Sequence, residues 1–226
     1  MSGDELKTLY PFLHGKAQDP AKLDDALLRS IATKAGESRE VAARFFDEQG
    51  PALLAAARGL AAVYRRGGRL LVMGNGGSSC DAAHVAVEFL HPVTAGRPAL
   101  PAVNLTADVA MLSAVANDVG FAHVFVRQVV AHGKVGDALL GISTSGSSEN
   151  LLAAFAKAKE MGLVTIGLAG GDGGAMKTAG TLDHCLVVPS PSVHRIQETH
   201  VAAYHILWDL VHALLADDRG GSAVTR

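Results

Sequence analysis

Five short apolar runs decide what this chain can fold into. They are Leu70–Met73, Ala102–Leu105, Ala138–Ile142, Val164–Leu168 and Cys185–Val188, and most are followed by a stretch of helical character. A strand with one wet face alternates apolar and polar residues. These runs are nearly continuous, so both faces of each strand are expected to be covered, and strands alternating with helices predict a parallel sheet between helical layers. The expected fold is therefore a three-layer α/β/α domain with a five-stranded parallel sheet and right-handed crossovers.

The remaining segments fit around that sheet. Asp24–Ala35 and Ser38–Gln49 read as helices, with Leu, Val and Phe at three-to-four spacing. Gly50-Pro51 predicts a break or kink, after which Pro51 starts a helix running to Arg66 and closed by Gly67-Gly68. A further helix is expected from about Ser79 to Leu90. The last, His194–Ala216, places Ile196, His200, Ala203, Leu207, Leu210 and Leu214 on one face. The expected organisation is an N-terminal arm and helix over residues 1–36, one α/β domain over 37–216, and a frayed tail over 217–226.

Composition excludes several classes. At 49% hydrophobic residues, the 226-residue chain can bury a sizeable core and is not a long disordered segment. A net charge of −2 gives no general attraction to nucleic acid or anionic membrane. The start, MSGDELKTLYPFLHGK, has no apolar signal-peptide region, and Arg58 interrupts the most apolar stretch, Leu53–Tyr64. Two cysteines, Cys80 and Cys185, suit a reducing compartment. The expectation is a cytoplasmic protein with no nucleic-acid or membrane partner.

Ligands of open parallel sheets bind at the carboxyl ends of the strands. Two such ends carry chemistry. Gly74-Asn75-Gly76-Gly77-Ser78-Ser79 follows the first strand and opens onto a helix, so backbone N–H groups can approach a ligand. It lacks the third glycine of a nicotinamide-binding loop and the lysine of a Walker A loop. Read alone, it is also compatible with an ordinary strand-to-helix turn. Ser143-Thr144-Ser145-Gly146-Ser147-Ser148 offers five hydroxyls before another helix. Hydroxyls, amides and a helix dipole make a cradle for a phosphate group, without Lys or Arg. The bland alternative is a Ser-rich helix cap.

His84 and Glu88 stand four residues apart, on one helix face, a spacing that can chelate a metal or position a base, or simply form a surface pair. Gln197, Val201 and His205 form a stripe at steps of four. A regular helix rises about 12 Å over eight residues, so Gln197 and His205 reach one metal only if the first turn is irregular or the site is shared between chains. His194, His200 and His212 read as capping, packed or solvated residues.

Taken together, GNGGSSCDAAH…E, AVANDVGF, GISTSGSSENL and RIQETH…H, in that order over about residues 37–216, closely resemble the SIS (sugar isomerase) domain family, and within it the phosphoheptose (sedoheptulose-7-phosphate) isomerases. The resemblance implies a flavodoxin-like or Rossmann-like five-stranded sheet and a homotetramer with active sites at subunit contacts. It implies substrate contacts at Asn75, Gly76, Gly77, Ser78, Glu88, Asn117, Asp118, Ser143, Thr144, Ser145, Ser148 and Gln197. It also implies a Zn²⁺ site at His84, Glu88, Gln197 and His205, with Glu88 as catalytic base and His205 as catalytic acid. The chain departs from the family pattern at Ala83, where Gln is common, and at Pro92, where a basic residue is common.

The reaction so implied converts D-sedoheptulose 7-phosphate to D-glycero-D-manno-heptose 7-phosphate through an enediolate. A carboxylate can carry the proton between C1 and C2, and a histidine suits ring opening and the oxygen protons because it titrates near neutral pH. Two alternatives stay open. One is a non-catalytic SIS-domain binder of the kind that associates with a replication initiator, a class that tends to lack the Glu/His pair. The other is an isomerase of another sugar phosphate.

Overall fold

The computed structural model describes the backbone of residues 20–217 and the side chains of residues 23–216. The arm expected before residue 20 and the tail expected after residue 217 lie outside the described residues. The chain divides into two compact units between Glu37 and Ser38.

Helix α1 spans Pro20–Arg65 and does not break at Gly50-Pro51, contrary to the sequence expectation. Proline inside a helix removes one hydrogen bond and costs about 3 kcal/mol. Burial on both sides of Pro51 offsets that cost. Phe45, Leu53, Ala56, Ala57 and Leu60 follow helical spacing and are each no more than 3% exposed, while Pro51 itself faces outward. The helix therefore continues because the same face is buried before and after the proline.

The order of elements then alternates. It runs β1 (Leu70–Gly74), α2 (Gly77–Leu90), β2 (Ala102–Asn104), α3 (Val109–Asp118), a 3₁₀ turn at Phe121–His123, α4 (Val124–His132), β3 (Ala138–Ser143), α5 (Glu149–Glu160), β4 (Val164–Gly170), α6 (Gly174–Thr178), β5 (His184–Val188) and α7 (Val193–Asp217). All strands are parallel, in the order β2-β1-β3-β4-β5. The expected five-stranded α/β/α architecture is the one observed.

Strand periodicity separates two cores. Leu70, Val72, Leu140, Ile142, Ile166 and Leu168 point to the face covered by α1, α2 and α7. Leu71, Met73, Leu139 and Ala169 point to the face covered by α3, α4, α5 and α6. Successive residues thus feed opposite layers, which is why the runs had to be apolar throughout. Where β1 and β3 pair, Gly74 lies opposite Ile142, so the two loops read from the sequence leave the sheet side by side.

His200 is a packed histidine. It is fully buried, and its Nε2 lies 3.0 Å from the Ala169 carbonyl. Burial pushes its pKa down to about 4, although that carbonyl pulls the other way. The unfolded chain takes up a proton near the ordinary value of about 6.5, and the native state does not. Stability is therefore intact above pH 6.5 and falls as pH drops toward 4, by about 3 kcal/mol from this residue. Urea midpoints measured from pH 7.5 to 4.5 should fall steadily, and His200→Gln should flatten that slope. An unchanged slope in the variant assigns the loss to other groups.

Candidate active site

The first loop is built by close approach. A side chain at Gly77 would place its Cβ 2.4 Å from the Gln197 amide nitrogen, so glycine there leaves the Gln197 side chain its place against the start of α2. Ser78 is buried, its N–H donates to the Asn75 carbonyl (3.0 Å), and the Ser79 N–H donates to the Gly76 carbonyl (3.0 Å). Asn75 and Asn150 exchange amide hydrogen bonds in both directions, each 2.9 Å. That pair ties the first loop to the opening turn of α5.

The second loop gathers its hydroxyls. Ser143 Oγ lies 3.4 Å from Ser145 Oγ and 3.0 Å from Ser148 Oγ, and it accepts the Gly146 N–H at 3.1 Å. Ser148 occupies the N-cap position of α5 without capping it through its side chain. Its hydroxyl faces Ser143 instead. Gly146 has φ +63 and returns the chain against Gly173 and Gly174. The result is an uncharged, donor-rich turn at a helix N-terminus, a setting suited to an anion.

The third part lies between α2 and α7. One ligand atom each from His84, Glu88 and His205 falls within 4.8 Å of the others. His84 Nε2 is 3.2 Å from Glu88 Oε1 and 3.4 Å from His205 Nε2. Burial pushes the His205 pKa down, the neighbouring His84 adds to that, and Glu88 opposes it. Two imidazoles and a carboxylate converging on one point fit a divalent cation such as Zn²⁺, which takes N and O ligands.

Gln197 lies within the regular part of α7, not on an irregular turn, and its amide donates to Asp81 Oδ2 at 3.1 Å. Asn117 and Asp118 end α3, and the Asn117 amide donates to Asp118 Oδ1 at 2.8 Å. Both are exposed. Thr144 is half-buried and follows Ser143 just past the end of β3. Three residues of this region were not legible as site residues. Asp81 is buried, which raises its pKa, while Gln197 and His84 lower it. Tyr204 bonds His84, and Asn150 bonds Asn75. For Asp81, the only signal was its position on the helical face of His84 and Glu88.

Sequence and structure comparisons identify the family. A family model described as SIS domain matches residues 35–170. A phosphoheptose isomerase from Desulfovibrio desulfuricans is 44% identical over 197 residues, 87% of this chain and 92% of that protein. The structure of a phosphoheptose isomerase from Francisella tularensis superposes with a TM-score of 0.78 at 37% identity, covering 82% of this chain and 97% of that one. That of a phosphoheptose isomerase from Neisseria gonorrhoeae gives 0.77 at 37% identity, covering 82% and 98%. The matched residues and the five-stranded parallel sheet thus place the chain in the SIS domain family. Within that class the chain belongs to the phosphoheptose isomerase family, and it is an isomerase.

Proposed function

We propose that the enzyme interconverts D-sedoheptulose 7-phosphate and D-glycero-D-manno-heptose 7-phosphate. The observation that carries this reading is the convergence of Glu88, on the helix that follows the first loop, with His205 of α7, whose Gln197 lies against Gly77 of that loop. The hydroxyls of Ser143, Thr144, Ser145 and Ser148 hold the phosphate. Asn75, Gly76, Gly77, Ser78, Asn117, Asp118 and Gln197 orient the sugar hydroxyls, which fixes the reacting carbons relative to the base.

Glu88 removes the C1 proton of the open-chain ketose and returns it to C2, through an enediolate. Its side chain is only 18% exposed and lies 3.2 Å from His84 Nε2, which holds the carboxylate in one orientation for the transfer. His205 takes the proton of the anomeric hydroxyl and gives it to the ring oxygen as the sugar opens, and then moves a proton between the oxygens on C1 and C2. The lowered pKa of His205 keeps it neutral and able to accept near neutral pH. A zinc ion held by His84, Glu88 and His205 of one subunit, with Gln197 supplied across a subunit contact, would polarise the carbonyl and stabilise the enediolate.

The protein acts in the cytoplasm as a homotetramer with sites at subunit contacts. In support, Leu27, Leu28 and Ile31 of α1 are 52%, 64% and 64% exposed, an apolar row suited to another copy of the chain. Among the described residues no helix is long and apolar enough to cross a membrane.

The test is NMR of sedoheptulose 7-phosphate incubated with enzyme in D₂O. New aldose anomeric signals with deuterium at C2 are expected. Chelation should slow turnover at least tenfold, and added Zn²⁺ should restore it. No aldose signal, alongside turnover of another ketose phosphate, would reassign the substrate and leave the isomerase standing. Undiminished activity after complete metal removal would take zinc out of the reaction.

A further inference from the structure

Tyr204 takes no part in the chemistry above, yet it fixes a residue that does. It is 2% exposed, and its hydroxyl lies 2.8 Å from His84 Nδ1. Its ring stands edge-on to His84 (centroids 5.4 Å apart, 75° between planes) and to His205 (4.8 Å, 61°). Neighbouring α7 residues hold α2 in the same way. Gln197 donates to Asp81, and the Trp208 indole N–H donates to the Glu88 carbonyl at 2.8 Å. The contacts advance together along the two helices, and Tyr204 is the one that grips a side chain of the cluster from behind.

A neutral imidazole carries one N–H. With the proton on Nε2, His84 donates to Glu88 Oε1, and Nδ1 accepts the Tyr204 hydroxyl proton. With the proton on Nδ1, His84 donates to the tyrosine oxygen, and Nε2 turns a lone pair toward Glu88 and His205. A hydroxyl is both donor and acceptor, so it satisfies either tautomer. A phenyl ring satisfies neither.

We propose that Tyr204 is a positioning residue that locks the His84 ring and accepts a hydrogen bond from its Nδ1–H when Nε2 takes up a divalent cation. Nε2 gives a proton to solvent and Nδ1 takes one from it, so the ring's charge is unchanged by the switch. This rests on the reading of His84, Glu88 and His205 as a metal site.

Tyr204→Phe keeps the ring and removes the hydroxyl. Metal-free protein is titrated with Zn²⁺ against a chromophoric chelator, and histidine ¹⁵N spectra are recorded for unmodified protein with and without Zn²⁺. Outer partners of this kind are worth roughly 10–100-fold in metal affinity, and a loss of that size is expected in the variant. In the loaded unmodified protein, His84 should carry its proton on Nδ1. Zn²⁺ affinity within twofold of the unmodified protein overturns the role of Tyr204 and leaves the metal site intact. Should the variant fail to fold, the ¹⁵N spectrum decides alone, and a bare or metal-bound Nδ1 overturns the proposal. Unmodified protein that binds no Zn²⁺ overturns the metal reading and this proposal with it.

Discussion

Glu88→Gln is expected to lower kcat by roughly 10²–10⁴-fold, the range that a positioned acid–base group contributes. Glutamine matches the shape of glutamate and can still meet His84, but it cannot take a proton from carbon. The backbone of residue 88 stays anchored by the Trp208 indole through the main-chain carbonyl, which the substitution does not touch. The melting temperature of the metal-free variant should therefore remain within a few degrees of the parent, and KM should change far less than kcat. Steady-state kinetics with a melting curve on the same preparation settles the matter. A kcat above a tenth of the parent's would mean that another group abstracts the proton.

The second large effect is structural. Gly146→Ala should destabilise the fold by roughly 2–4 kcal/mol, combining the cost of a left-handed backbone for an L-residue with that of displaced neighbours. The contact is severe because both sides are main chain. A Cβ on residue 146 would lie 2.2 Å from the Gly173 carbonyl oxygen and 2.6 Å from its carbon. No rotamer change relieves that overlap. The Gly146 carbonyl also accepts the Met176 N–H at 2.8 Å, so α6 must shift with the loop. Thermal melting should drop by about 5–15 °C for a unit of this size, and KM for the phosphorylated substrate should rise as the hydroxyls separate. Unaltered melting would show that the β4–α6 turn yields easily.

The two variants test different layers of what the residues revealed. The strands were legible because a doubly covered strand must be apolar at every position, and a run such as Leu70–Met73 has few other uses. The hydroxyl loop and the His84/Glu88 spacing were legible because each is local. What escaped was partner choice across long separations. Asn75 and Asn150 are 75 residues apart, and Tyr204 and His84 are 120 apart. Their pairing depends on which helix faces which, a property of packing that neither local sequence displays. The unbroken α1 escaped for a related reason. Gly50-Pro51 carries a local signal to stop, and only the shared buried face of Phe45 and Leu53 overrules it.

The amide pair between Asn75 and Asn150 has a consequence for selectivity under the proposed function. The loops it joins start from strands hydrogen-bonded to each other, whose spacing in any sheet is about 4.8 Å. The pair then prevents the loops from splaying above that base. A ligand held by both loops at once must therefore match a spacing that the sheet sets.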